Sequence, residues 1–467
     1  MIVNIKVLQD SQLEKIHGAT LTYLEKHGVV IKHAKSREML KNKGATIDGE
    51  NVKIPKAIVE EALKSVPSSF TIRGRNDRHS VTIGEGHPLV VAPTTGNAFI
   101  TEESGKRYAE FEDLIKLLKI AHTSDCCHMV APGIVFPQTD NVEEMMCQQM
   151  YETIRLSDKP IIGFTQNEKM ARVSIEMANI ALGNDTGYNI IGILNTFSPL
   201  EWDENMAGAL CVYAEKNQPI GITCCSMAGM TSHIHLIDTV FSNNVEIITG
   251  IVLAQVIRPG LPIIYGNVSG PSDMKVMNLS IGSPDTLLIS AAASQMANYY
   301  GIPFRGGGGL TDGKTLDAQT GVESSASLLF SHMNRVHFML HALGALEAYN
   351  GMSFEKWILD EESIRRSRYM MEKDLGELSD EAIEKAAKVG PGGNYIQQED
   401  TLKNFRNGFF MPQVADRFFY DVWKKKGLNI QQTCKKIWEK RVDQYVQPAF
   451  SPALEQDLKK YLSVLNQ

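Results

Sequence analysis

The segments PIIGF (160–164), NIIGIL (189–194), PIGITCC (219–225) and PIIYG (262–266) decide the fold. Each is a short, continuous apolar run rich in β-branched residues, and three of them enter through a proline. A strand with one wet face alternates apolar and polar residues; a strand covered on both faces by helices does not. Helix-length stretches separate the runs, among them EKMARVSIEMANIAL (168–182) and ENMAGALCVYAEK (204–216). Working outward, PLVVAP (88–93), HMVAPGIVF (128–136), IPFRG (302–306) and VHFML (336–340) repeat the pattern at intervals of roughly 35 residues. Eight strand–loop–helix units in unbroken series predict an α/β chain whose core is a (β/α)8 barrel over 88–373. An open, doubly wound sheet is the competing arrangement.

The flanks read differently. Residues 1–87 form a helical and hairpin cap. Ser11 and Glu14 are placed as a capping box before a helix running towards Gly28, and a second helix spans Lys35 to Gly44. AIVEEALKSV (57–66) is a third helix, and FTIRGRNDRHSVTIGEG (70–86) has the form of a hairpin. Residues 374–467 read as a helical extension. It carries Phe405, Phe409, Phe410, Phe418, Phe419, Tyr420 and Trp423, more aromatic surface than one outer layer needs, which points to a homo-oligomer.

The chain has 467 residues, with 47 Lys and Arg against 54 Asp and Glu, a net charge of −7. Nucleic acid is not the partner of such a balance, because phosphate binding needs a basic surface. The seven Cys are odd in number and include the adjacent pairs Cys126–Cys127 and Cys224–Cys225, a pattern of reduced thiols in a cytoplasm. The N-terminus has no signal-like apolar region, and the longest uncharged stretches, Asn217 to Ile237 and Thr286 to Phe304, are broken by polar residues, Gly and Pro. No membrane span is expected.

A barrel works at the C-terminal ends of its strands. The loops there are TTGN (94–97), TQN (165–167), NTFSPLEW (195–202), SMAGMTS (226–232), NVSGPSD (267–273) and RGGGGLTDGKT (305–315), which are small, polar and poor in acids. Paired carboxylates and Lys–Glu pairs are missing from them, so strong acid–base catalysis is not the expected chemistry. Cys126-Cys127-His128 and His233-x-His235 read as buried thiols and a helix start rather than metal ligands. GGLTDGKT (308–315) formally matches a phosphate cradle, which makes a nucleotide-binding NTPase the alternative of another class. Arg305, at the end of the seventh run beside glycines, is suited to carboxylate or phosphate capture or to an ion pair with a loop acid. His337, Met339 and His341 share one face of the eighth run. Aromatic residues near strand ends are Phe164, Phe197, Trp202, Tyr265 and Phe304.

LEKIHGATLTYLEKHGV (13–29), TTGNAFITEESGKRYAEFED (94–113), NTFSPLEW, GGGGLTDGKTLDAQTGVESS (306–325) and LHALGALEAYNGMSFEKWILDEE (340–362) resemble, in order, the trimethylamine methyltransferase family. The resemblance implies a TIM barrel that passes a methyl group from an amine to the Co(I) of a separate corrinoid protein, in anaerobic metabolism. Founding members carry pyrrolysine; this chain has only standard residues and looks like the branch acting on glycine betaine, proline betaine, carnitine and related quaternary amines. No tightly bound cofactor is implied, since the corrinoid belongs to the partner. A quaternary ammonium leaves as a neutral amine and needs no general acid, in keeping with the acid-poor loops. A non-catalytic betaine-binding protein remains a further alternative.

For a betaine, Arg305 is expected to take the carboxylate, with His337 or His341 completing the anion site. Thr94, Thr95 and Asn97 follow the first strand and reach the same pocket if the barrel closes. Phe197, Trp202 and Tyr265 are the expected walls for the methylammonium. Gly306, Gly307, Gly308, Gly309 and Leu310 are expected to form a loop over substrate or corrinoid.

Overall fold

A computed structural model describes residues 5–465. Seven of the eight apolar runs are strands: β1 (Val90–Val91), β2 (Ile161–Gly163), β3 (Ile190–Asn195), β4 (Ile220–Cys224), β5 (Ile263–Asn267), β6 (Phe304–Gly306) and β7 (Phe338–Met339). They form one curled, all-parallel sheet in the order β1-β7-β6-β5-β4-β3-β2. From β2 to β7 sequential strands are neighbours, and β1 lies beside β7.

The run 128–136 corrects the expectation of a continuous strand. It makes only isolated bridges, Val130 to Ile161 and Asn97 to Val135, around a turn at Pro132–Gly133. Proline has no amide to donate to a ladder, so the run cannot stay paired through it. Its first residues still touch both sheet edges. His128 N–H donates to Val91 O at 2.8 Å, and Val130 exchanges bonds with Pro160 O and Ile162 N–H, each at 2.9 Å.

Eight helices follow the eight runs: α1 (Phe111–Thr123), α2 (Val142–Leu156), α3 (Glu168–Leu182), α4 (Glu204–Glu215), α5 (Leu236–Ile257), α6 (Pro284–Tyr299), α7 (Ala318–Met333) and α8 (Phe354–Glu372). Polar residues start most of them. Asn167, Asp203 and Asp317 accept the N–H groups of Met170, Met206 and Thr320, satisfying amides that a first turn leaves free. α5 is long and apolar enough for a membrane, but 78% of its apolar window is buried inside the protein. The N-terminal helices Asp10–Lys26 and Lys56–Ser65 pack over it, and Asn244 Nδ2 donates to Thr20 Oγ1 at 2.8 Å. A helix apolar all round needs a second cover, which the cap provides.

The first helix begins with a box formed by Gln9 and Gln12 rather than Ser11 and Glu14, two residues earlier than the sequence suggested. The hairpin Ser69–Ile72/Val81–Gly84 is as expected. At the other end of the chain, the helix Ile430–Asp443 packs on α8 and α1. Arg441 grips the buried Glu361 at 2.8 and 2.6 Å, and Trp438 stacks on Phe354 with centroids 4.7 Å apart.

Candidate active site

A cavity of about 310 Å3 opens at the C-terminal ends of the strands. Every strand helps to line it, through Thr95 after β1, Phe164 to Gln166 after β2, Asn195 of β3, Cys225 after β4, Val268 after β5, Arg305 of β6 and His341 after β7. No Asp, Glu or Lys is among the lining residues.

Arg305 dominates its charge. It is 1% exposed, and its Nε and Nη1 are buried with no hydrogen-bond partner among the described residues. Alternation along β6 explains the direction: Phe304 turns outward to the helices and Arg305 inward, between Gly266 and Phe338 of the neighbouring strands. Burial pulls the guanidinium from 12.5 down to about 10, so it stays charged at neutral pH. A buried cation without a partner is unfavourable unless a ligand supplies the anion.

His341 and Tyr349 flank it, with ring centroids 4.5 Å apart. Burial, and then the Arg305 charge, hold His341 well below its ordinary 6.5, so the ring is neutral. Its Nδ1 accepts weakly from Thr95 N–H at 3.4 Å, which leaves Nε2–H as a donor. The Tyr349 hydroxyl is buried without a partner, and burial pushes its pKa up. Glu347, Ala348 and Tyr349 all have positive φ (51, 48 and 75°), as does His341 (57°). This left-handed turn is held by the 311–313 loop: Glu347 N–H donates to Gly313 O at 2.9 Å and Ala348 N–H to Thr311 O at 3.0 Å. Such strain in non-glycine residues persists only where surrounding contacts over-determine it.

Apart from the neutral polar residues Thr165, Gln166 and Asn195, the rest of the wall is largely apolar. Phe136 and Phe164 stand 6.1 Å apart at 47°, with Ile162, Ile193, Met206 and Leu340 nearby. Gly133 lies between the two phenyl rings, where an added Cβ would fall 2.9 Å from Phe136 and 3.4 Å from Phe164.

Of the residues nominated from sequence, Arg305, His341 and Thr95 line this cavity. The other nominations are placed elsewhere. His337 is at the opposite end of the sheet with Glu85 and His87, and its Nδ1 accepts from Phe304 N–H at 3.0 Å. Period-two alternation put His337 and His341 on one face, but β7 ends at Met339 and His341 enters a left-handed turn, so the count fails. Trp202 is fully buried against Gly250 of α5 and donates from Nε1 to Glu246 O at 3.1 Å. Tyr265 points outward to α5, where its hydroxyl donates to Asn244 Oδ1 at 3.0 Å. Phe197 is on the outside of its loop, 59% exposed. Thr94 Oγ1 donates to Leu343 O, and Asn97 Nδ2 to Ile134 O, each at 2.8 Å, so both brace loops. Gly306, Gly307, Gly308, Gly309 and Leu310 are buried beneath the surface rather than over the cavity. Gly308 abuts Ala342, and Gly309 O accepts from Lys356 Nζ at 2.8 Å.

Two motifs thus serve as braces. Glu246 of α5 accepts from Thr196 Oγ1 (2.5 Å), Ser198 Oγ (2.8 Å) and Leu200 N–H (2.8 Å), which fixes NTFSPLEW and sets Asn195 at the cavity. In GGLTDGKT three amides at the centre of the loop are already taken. Leu310 N–H donates to Gly308 O at 2.9 Å, Asp312 N–H to Glu323 at 2.8 Å, and Gly313 N–H to Thr311 Oγ1 at 2.9 Å. A carboxylate thus stands where a phosphate cradle would point its donors, which weighs against the NTPase alternative.

Phe136, Gln166, Asn195, Cys225 and Tyr349 were not nominated. Gln166 and Asn195 stand first or second in loops after strands, which is signal enough; nothing local marks Tyr349 as inward. The buried Cys126 and Cys127 thiols are pushed up to about 12 and are unreactive.

The trimethylamine methyltransferase (MTTB) family pattern matches residues 1–464. The glycine betaine methyltransferase of Desulfitobacterium hafniense (strain Y51) is 35% identical over 470 residues, covering 99% of this chain and 98% of that one. The proline betaine:corrinoid methyltransferase of Eubacterium limosum is 31% identical, covering 98% and 97%, and its L-carnitine:corrinoid methyltransferase is 30% identical, covering 93% and 92%. Among solved structures, the monomethylamine methyltransferase of Methanosarcina barkeri shares the fold at a TM-score of 0.52 and 12% identity, covering 96% of this chain and 90% of that one. With a match across nearly its whole length, the chain belongs to the trimethylamine methyltransferase family.

Proposed function

We propose that this protein takes a methyl group from a betaine, a quaternary amine that also carries a carboxylate, and transfers it to a corrinoid protein. The carrying observation is the pairing of Arg305, buried and unpartnered, with an aromatic, acid-free wall in one small cavity. Arg305 receives the carboxylate, with His341 Nε2–H and the Tyr349 hydroxyl as neutral donors beside it. Phe136 and Phe164 face the methylated cation, as π faces do for quaternary ammonium groups. The Co(I) of the partner supplies the nucleophile, and the amine departs neutral with the electrons of its C–N bond, so no proton moves. This chain's task is to align one methyl and exclude water. The 35% identical relative named for glycine betaine supports this substrate class.

In the same reading, residues 1–87 are the cap, 88–373 a closed (β/α)8 barrel and 374–467 the extension, with the 128–130 segment as the eighth stave. The exposed Phe409, Phe418 and Phe419 of the extension form a contact between copies in a homo-oligomer. The seven free thiols suit a cytoplasmic enzyme.

The test is spectroscopic. The protein is mixed with a corrinoid protein reduced to Co(I), without ATP, and with glycine betaine, proline betaine, carnitine or choline in turn. The visible spectrum should change to that of the methylated corrinoid with a betaine. No change with any of these amines, with a corrinoid protein shown to be active, would overturn the proposal.

A further inference from the structure

The loops beyond the cavity carry apolar side chains that none of the described residues covers. Phe197, Ile234, Met274, Val276 and Met277 each keep 58–69% of their surface in solvent. They come from the loops that leave the cavity at Asn195, Cys225 and Val268, after β3, β4 and β5.

These loops are built, not slack. Met227–Ala228 pairs in parallel with Gly270–Pro271, and Ser272–Asp273 pairs in turn with Asn278–Leu279. The tip between them is tied down by Lys275 N–H to Asp273 Oδ1 at 2.8 Å and Met277 N–H to Asp273 O at 2.8 Å. Gly229 joins the two loops: a Cβ there would lie 3.8 Å from Met274 Sδ and 4.0 Å from Ile234. A small sheet thus holds Met and Ile side chains in water beside the mouth. Exposed apolar side chains held on an ordered frame suit a contact surface, and methionine suits one that adapts to its partner.

Volume identifies the occupant. A cavity of about 310 Å3 holds a molecule the size of a betaine, whereas a corrin macrocycle with its side chains is several times larger. The corrin therefore stays outside, at the mouth, and the surface around the mouth must meet it or its carrier. The helices of the extension pack instead on the outer helices, Ile430–Asp443 on α8 and α1 and Pro452–Leu465 on α3.

We infer that the rim formed by Ile234, Met274, Val276 and Met277, with Phe197, is the docking surface for the corrinoid protein. The inference rests on the methyltransferase reading above.

Met274→Asp, Val276→Asp and their double variant test it, with Ile234→Ser as a milder change and the exposed Ile383→Asp in the extension as control. Initial rates of methyl transfer from glycine betaine are measured against corrinoid-protein concentration, with betaine affinity by calorimetry. The rim variants should raise the KM for the corrinoid protein at least tenfold and leave betaine affinity unchanged, while Ile383→Asp leaves that KM alone. Unchanged KM in all rim variants would overturn the inference, as would a halved mass in solution, which would assign the rim to a second copy. An inactive wild-type protein would instead defeat the methyltransferase reading itself.

Discussion

Arg305→Met should weaken substrate binding and at the same time stabilise the empty protein. Methionine keeps the length of the side chain and removes the charge. The guanidinium is buried and meets no anionic side chain among the described residues, and its pKa falls from 12.5 to about 10. A fall of this size is roughly 3 kcal/mol against the charged form in the folded state. Replacing it should therefore return about 1–3 kcal/mol and raise Tm by a few degrees, less whatever packing the swap loses. With a betaine bound, the balance reverses. Losing one partner of a buried charge pair costs roughly 2–5 kcal/mol, about 30- to 4,000-fold in affinity. Calorimetric titration with glycine betaine and with choline, beside thermal melts without ligand, reads both effects. The variant should also discriminate less between the two amines, because choline never used the guanidinium. Normal betaine affinity, or a Tm several degrees lower, would show that Arg305 is a structural residue, and the anion site would have to be sought elsewhere.

Phe164→Ala removes one of the two rings assigned to the methylammonium and should weaken glycine betaine by about 2- to 30-fold, from cation–π contacts of about 0.5–2 kcal/mol. Its isostere 3,3-dimethylbutanoate, which keeps the carboxylate but has carbon in place of the cationic nitrogen, should lose less, and an equal loss for both ligands in calorimetry would mean that the ring only fills space. His128 bears on acid stability: its Nδ1 accepts Val91 N–H at 2.9 Å, and burial pulls its pKa from 6.5 to about 4. Between these values the unfolded chain takes up a proton that the folded one refuses, so stability present above pH 6.5 is lost as pH falls towards 4, by up to about 3 kcal/mol. His128→Asn, which keeps an acceptor but does not titrate, should lose less Tm than wild type between pH 7.5 and 5; equal losses would refute the assignment.

Backbone periodicity made the strands and helices legible, since runs such as PIIGF and NIIGIL have no polar face to show to water. Arg305 was legible as a candidate from its position at the end of an apolar run beside glycines. Alternation, applied to the eighth run, failed for the pair His337 and His341, because the chain turns left-handed two residues beyond β7. Pro132 likewise ended a strand that hydrophobicity alone continues.

Composition therefore determined which segments are buried and what class of chemistry the loops permit, because burial and charge are properties of the residues themselves. Only the tertiary structure decided which aromatic residues face the cavity. Trp202 and Tyr265 have the right chemistry and stand near strand ends, yet α5 supplies them with Glu246 O and Asn244 Oδ1 on the outer side. Phe136 and Tyr349 reach the cavity through turns at Pro132–Gly133 and 347–349, the second held by carbonyls more than thirty residues away at Thr311 and Gly313. Where a side chain points in an irregular loop depends on partners distant in sequence, and no local pattern carries that information.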